Sequence, residues 1–181
     1  MYVAITGTPG TGKTSLAENL HSSGYSTVSV KELALELDCS MADADGDEMV
    51  IDVSSLAAKL HGHLAGMGDP LFIEGHLSHF LPVDAVIVLR TSPLVLKERL
   101  AERGYGEEKL RENLEAEGVG VCLSEAVETG LPVAELDTTI LSVDETAKLT
   151  LRLVDSLRAG EELDAHKPGN IDWMEEVSQW Y

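Results

Sequence analysis

The sequence predicts a three-layer α/β fold built on a parallel five-stranded sheet. Three observations carry this. Short apolar or β-rich runs recur at 1–6, 26–30, 71–74, 85–89 and 131–136. Stretches with helical spacing separate them, which is the βα alternation of a parallel sheet. The first run leads through Gly7-Thr8-Pro9-Gly10-Thr11-Gly12-Lys13-Thr14 into a helical stretch. G-x-x-x-x-G-K-T between a strand and a helix is a phosphate-binding loop.

Each part of that loop has a chemical reason. The glycines let the backbone curl until several N–H groups face one phosphate. The helix start adds partial positive charge. Lys13 reaches the β- and γ-phosphates, and the Thr14 hydroxyl suits Mg²⁺. Leu16 and Leu20 then give the following helix one apolar face.

After Gly24, the run 26–30 is the second strand, and Leu33 and Leu37 set a helix over 31–37. Residues 38–48 hold Asp38, Asp43, Asp45, Asp47 and Glu48 and read as an exposed acidic loop. Asp43-x-Asp45-x-Asp47 begins like a calcium loop but lacks its Gly at position six and Glu at position twelve. Residues 49–53 pair briefly as a strand, and Asp52 or Ser54 caps a helix to about Ala65. Leu71–Glu74 is an apolar strand ending in a carboxylate, where the Walker B acid of a phosphate-loop protein belongs. His76 follows two residues on, near the place of an attacking water or hydroxyl. A zinc pair of His76 and His79 is set aside, because a Mg²⁺-nucleotide pocket wants oxygen ligands. The run 85–89 is continuously apolar, as in a strand buried on both faces. Ser92-Pro93 then starts a helix.

Lys97, Arg99, Arg103, Lys109 and Arg111 place five of the thirteen basic residues close together in an otherwise acidic chain. Arg99 and Arg103 share a helix face. The cluster is a candidate clamp for phosphates, Arg103 above all; the competing reading is pairing with Glu98, Glu102, Glu107 and Glu108. The next helix, 107 to about 129, is interrupted by Gly118 and Gly120, which predicts a bend or close packing there. A helix over 144–158 shows Ala147, Leu151 and Val154 on one stripe. The last helix, 171–181, carries Trp173, Val177 and Trp180 on one side.

The 181 residues suit one domain, and the hydrophobic content of 44% is that of an ordinary globular chain. No apolar run approaches the ~20 residues of a membrane span, and the immediate entry into a strand predicts no leader. Cys39 and Cys122 stand alone and read as free thiols of a reducing cytoplasm. Thirty-two acidic residues against thirteen basic give a net charge of −19. Such a surface repels nucleic acid and favours a basic protein partner. Solubility in a salty cytoplasm, where screening tolerates many carboxylates, is the simpler explanation of the overall charge.

The assembled motifs resemble adenylate kinase isoenzyme six, whose eukaryotic members are coilin-interacting nuclear ATPases and whose archaeal members are short. The residues that carry the resemblance are the loop 7–14, Val88-Leu89-Arg90-Thr91, Glu98-Arg99-Leu100, Arg103-Gly104-Tyr105, and Lys109-Leu110-Arg111-Glu112-Asn113 with Glu117 behind. It covers about residues 1–130. It implies a P-loop nucleoside monophosphate kinase fold and a broad-specificity kinase, ATP and AMP giving two ADP, with added ATPase activity. It further implies a role in small ribosomal subunit maturation and rRNA processing through a basic ribosomal protein.

By position, the resemblance implies that Gly10, Thr11, Gly12, Lys13, Thr14 and Ser15 bind ATP and that Arg103 contacts it from a short lid at about 103–113. Lys13, Glu74, His76 and Arg103 are then catalytic, with Thr14 and, through water, Glu74 serving Mg²⁺. Residues near 28–51 form the monophosphate-binding region. Family members carry aspartate where this chain has Glu74, and many carry arginine where it has Leu35. Two other functions fit the same loop: an ATPase assembly factor, and a kinase of another small molecule. A regulatory GTPase does not, since no N-K-x-D motif is present.

Overall fold

A computed structural model of the chain describes residues 1–42, 49–161 and 163–178. In chain order its elements are β1 (Tyr2–Thr6), α1 (Lys13–Ser22), β2 (Ser26–Ser29), α2 (Val30–Glu36), β3 (Ser40–Ala42), β4 (Met49–Ile51), α3 (Val53–His63), β5 (Leu71–Glu74), β6 (Ala85–Arg90), α4 (Pro93–Glu102), α5 (Glu107–Gly118), α6 (Val121–Glu128), β7 (Val133–Asp137), α7 (Val143–Ala159) and α8 (Met174–Ser178). The parallel sheet has the order β2-β5-β1-β6-β7. β1 is central, with Ile5 in register with Glu74 on one side and Thr6 with Val88 on the other. The chain therefore leaves β1 at the switch point of the sheet, where the crevice of a doubly wound fold opens.

The pleat sends alternate residues to opposite faces. Val3 and Ile5 meet Leu16 and Leu20 of α1 and Ala147, Leu153 and Val154 of α7. Ala4, Leu71 and Ile73 meet Leu33, Leu56, Leu60 and Ala126 from α2, α3 and α6. Each fully buried Leu or Ile contributes about 1.5–3 kcal/mol, so these two layers fix the sheet beneath the loop. Leu96, Leu100 and Leu114 form a smaller cluster that joins α4 to α5. Caps fix several helix starts: Asp52 Oδ1 accepts from Ser55 N at 3.0 Å. Ser29 with Glu32 and Ser142 with Glu145 form capping boxes on α2 and α7.

The structure departs from the sequence reading in four places. Ser40–Ala42 is not loop but pairs antiparallel with Met49–Ile51 in a separate ribbon. Asp43, Asp45, Asp47 and Glu48 lie outside the described residues. The interrupted helix is two helices, because α5 ends at Gly118 and the left-handed Gly120 starts α6. Ser92 does precede α4, yet its hydroxyl caps nothing and donates to Glu176 Oε2 at 2.6 Å. Among the described residues helix α8 starts at Met174, three residues later than the sequence reading, and runs to Ser178, with Val177 buried and Trp180 outside the described residues.

Gly118 shows why that short helix docks. A Cβ built there would lie 2.2 Å from Val177 Cγ2. The stiff, branched valine sits in the space a side chain would take. Gly118→Ala is expected to cost about 1–3 kcal/mol by overpacking. Urea denaturation checks this, and adding Val177→Ala should recover part of the loss; no recovery would mean the two positions are uncoupled.

Candidate active site

The phosphate loop lies between β1 and α1. Gly12 precedes α1 in the left-handed region at φ 98° and offers no capping side chain. The first N–H groups of α1 are thus left for an anion. Lys13 Nζ donates to Gly7 O at 2.7 Å and to Thr8 O at 2.9 Å, so the lysine arches back over its own loop. Burial brings its ammonium down to about 8, against the opposing pull of Cys122, Glu74 and Glu117.

Beneath the loop is a buried polar network. Arg90, at the end of β6, donates from Nε to Glu117 Oε1 at 2.8 Å, from Nη1 to Glu135 Oε1 at 2.6 Å and from Nη2 to Glu117 O at 2.8 Å. Thr8 Oγ1 donates to Glu117 Oε2 at 2.5 Å, and Thr91 N to Glu117 Oε1 at 3.0 Å. Gly169 N and Ile171 N donate to Glu135 Oε2 at 3.0 and 3.3 Å. Burial pushes the Glu117 carboxyl up, and Arg90, Thr8 and Thr91 pull it back. Every one of those three partners is a donor aimed at an anion. A second seam joins the loop to β7: Thr138 Oγ1 donates to Thr11 O at 2.9 Å, and Arg99 Nη2 donates to Thr138 O at 3.0 Å.

Two clefts flank the loop. One, of about 330 Å³, is lined by Gly10, Gly12, Ser15, Arg99, Arg103 and Thr138, with Leu141 and Val143 at the start of α7. The other, of about 510 Å³, is lined by Lys13, Thr14, Lys31, Glu74, His76, Arg103 and Lys109, with Val30, Met49 and Ile51 as its apolar side. Glu74 lines the cleft beside Thr14, and burial raises its carboxyl while the Lys13 charge lowers it. Partial burial, then the Lys13 charge, lower the His76 imidazole, which is therefore neutral near pH 7. Thr6 Oγ1 donates to His76 O at 3.1 Å and meets His79 Nδ1 at 2.8 Å. His79 is buried, with its pKa lowered to about 4 chiefly by that burial, and it props the turn that carries His76.

Among the residues singled out from sequence, Lys13, Thr14, Glu74, His76 and Arg103 converge on the larger cleft, and Gly10, Thr11, Gly12 and Ser15 line the smaller one. The basic cluster divides. Arg103 borders both clefts, and Lys109 borders one while its Nζ lies 5.4 Å from the centre of the Tyr105 ring. Arg99 is a brace, bonded to loop and β7 carbonyls. Arg111 points away and pairs with Glu115 across 3.5 Å on the surface of α5. Sequence reasoning did not assign Arg90, Glu117 and Glu135 to one buried centre. Its signal was a charge inside or ending an otherwise apolar strand, at Arg90 and at Glu135.

Replacing Arg90 by Met leaves two buried carboxylates without their cation. Breaking such a buried pair costs about 3–5 kcal/mol. For a chain of this size that is a fall in melting temperature of about 6–20 °C, read by a thermal melt of Arg90→Met beside the wild type. A shift under 2 °C would show that the network adds nothing to stability.

Residues 3–120 match the family described as AAA domain. A protein of Archaeoglobus fulgidus named "Putative adenylate kinase" is 47% identical over 98% of this chain and 94% of its own length. One of Thermococcus onnurineus with the same name is 42% identical over 99% of this chain and 94% of its own. Among solved structures, a deoxyadenosine kinase of M. mycoides aligns over 86% of this chain and all of its own, with a TM-score of 0.51 at 18% identity. That last likeness concerns the fold, a P-loop kinase fold. The loop, the five-stranded parallel sheet and the relatives together place this chain in the AAA-domain family, beside the archaeal proteins that carry the adenylate kinase name.

Proposed function

We propose that this chain is a nucleoside monophosphate kinase that transfers the γ-phosphoryl group of ATP to a monophosphate acceptor, AMP before others. One observation carries the reading: a single phosphate loop has a cleft on each side, and Gly10, Gly12 and Arg103 border both. A simple hydrolase needs room for one nucleotide; this arrangement gives room for two, with their phosphates meeting over Lys13. The donor nucleoside takes the cleft at the start of α7, the acceptor that of β4 and α2.

The transfer follows from the residues. The open N–H groups of α1 and Lys13 hold the donor's β- and γ-phosphates. An acceptor phosphate oxygen attacks the γ-phosphorus in line, the bond to the β–γ bridging oxygen breaks, and ADP leaves with that electron pair. The acceptor, now one phosphate longer, is the second ADP. No base is needed, because a phosphate monoester with its second pKa near ~6 is already an anion. Arg103 neutralises charge on the oxygens in transit. Thr14 and Glu74 offer only oxygen donors, the set a hard divalent cation takes, Glu74 acting through water. Magnesium, when bound with the nucleotide, supplies charge neutralisation there. With water in the acceptor cleft, the neutral His76 can orient it, which gives ATPase activity.

Within this family we read the chain as of the isoenzyme-six type, cytoplasmic, acting in small ribosomal subunit maturation through a basic ribosomal protein. The charge of −19 supports a cationic partner and disfavours bare RNA. An ATPase assembly factor with little kinase activity is the second reading. It is favoured by Leu35, an exposed apolar residue of α2 that gives an acceptor phosphate nothing.

A coupled ADP-formation assay with ATP plus each monophosphate, beside ATP alone, separates the two. Stimulation by a monophosphate supports the kinase; equal rates support the ATPase. Lys13→Ala should abolish both activities while melting like the wild type, and retained turnover would overturn the site. The lysine also sets a pH limb. As pH rises through about 8 the free protein loses the Lys13 ammonium. ATP affinity should then fall towards tenfold per pH unit, a limb that equilibrium binding to Lys13→Ala should lack. Binding to the basic ribosomal protein should weaken as salt screens exposed charges over ~8–10 Å. Titration across salt concentrations tests this, and tight binding to an rRNA fragment alone would refute it.

A further inference from the structure

The larger cleft is cationic in a chain that is otherwise strongly acidic. Four of the thirteen basic residues, Lys13, Lys31, Arg103 and Lys109, line it. Three of them have a visible place: Lys13 holds the loop carbonyls, Arg103 borders both clefts, and Lys109 lies against Tyr105. Lys31 has none. It makes no hydrogen bond or ion pair with any described residue.

Nothing local explains a lysine at this position. Lys31 is in the first turn of α2, where a cation faces the unfavourable end of the helix dipole. The helix start is already capped without it, by Glu32 N to Ser29 Oγ at 3.0 Å and Ser29 N to Glu32 Oε2 at 3.4 Å. The backbone does fix where Lys31 stands. Ser29, two residues earlier, is in register with Glu74 on the adjoining strand. The lysine thus rises from the same sheet edge as Glu74 and His76 and borders the cleft beside them. One turn on, Leu35 is exposed hydrocarbon.

We infer that Lys31 is the cation that receives the phosphate of the acceptor nucleotide; this rests on the monophosphate kinase reading. The acceptor dianion lies between Lys31 on α2 and Arg103 at the end of α4, with one oxygen left to face the γ-phosphate. Val30, Met49 and Ile51 take the apolar face of its nucleoside. An ammonium is a point charge that accepts phosphate in many orientations, where a guanidinium fork fixes one. Lys31 therefore holds the phosphate without dictating the base, which fits a broad range of monophosphates.

Steady-state kinetics with ATP and AMP varied independently test this. In Lys31→Ala the KM for AMP should rise about tenfold or more while the KM for ATP moves less than twofold. Lys31→Arg should keep most of the AMP affinity, and Lys31→Glu should lose more than Lys31→Ala. A merely structural residue would move both KM values, or neither. If the wild type uses AMP and Lys31→Ala leaves its KM unchanged, or raises that for ATP in parallel, the assignment to Lys31 is wrong and the kinase reading stands. If the wild type responds to no monophosphate, both fall.

Discussion

Arg90 is a buried cation held between two buried carboxylates, and the rest of the site is arranged around that contact. The three side chains are almost wholly excluded from solvent. Their mutual attraction is strong there, but so is the cost of taking them out of water, and only complete hydrogen bonding balances the two. Completeness comes from far apart in the chain: Thr8 from the phosphate loop, Thr91 from the end of β6, Gly169 and Ile171 from the segment before α8. A partly satisfied version would be worse than an apolar core. The network therefore does not simply add stability. It selects one relative position for five segments, and the phosphate loop is one of them.

Once that position is set, the chemistry of the loop follows from its surroundings. Lys13 is close enough to Glu74 and Glu117 to feel both charges and buried enough to hold its proton less tightly than a lysine in water. Burial first, and then the same lysine, lower the His76 imidazole, and its turn is held by Thr6 and His79 beneath it. The two clefts differ in character. That on the α7 side is walled by Leu141, Val143 and Arg99, while the other gathers Lys31, Lys109, Glu74 and His76. The loop thus stands between two walls of unlike chemistry.

Much of this was legible in the sequence because it is local. A phosphate loop is written in consecutive residues, and Glu74 and His76 are found by their offset from an apolar strand. The sheet was legible from its apolar runs, since both faces are covered. What escaped depends on distance. Thr8 and Glu117 are 109 residues apart, and nothing in either neighbourhood names the other. Arg99 and Arg103 are one turn apart on one helix face, yet packing turns Arg99 to the loop carbonyls and leaves Arg103 bordering both clefts. Gly118 and Gly120 signalled a disturbance, but that Gly118 makes room for Val177 rests on a contact that only the fold brings there.

The bonds from Gly169 and Ile171 to Glu135 carry a consequence for the order of folding. A chain made from its N-terminus exposes the phosphate loop first and this pair of donors late. Until they arrive, Glu135 keeps its ion pair with Arg90 but lacks both donors to its second oxygen, a buried acceptor left unsatisfied. The sheet and its two apolar layers can close before then, since their residues are already present. The network beneath the loop is thus completed only by residues that leave the ribosome after every strand of the sheet.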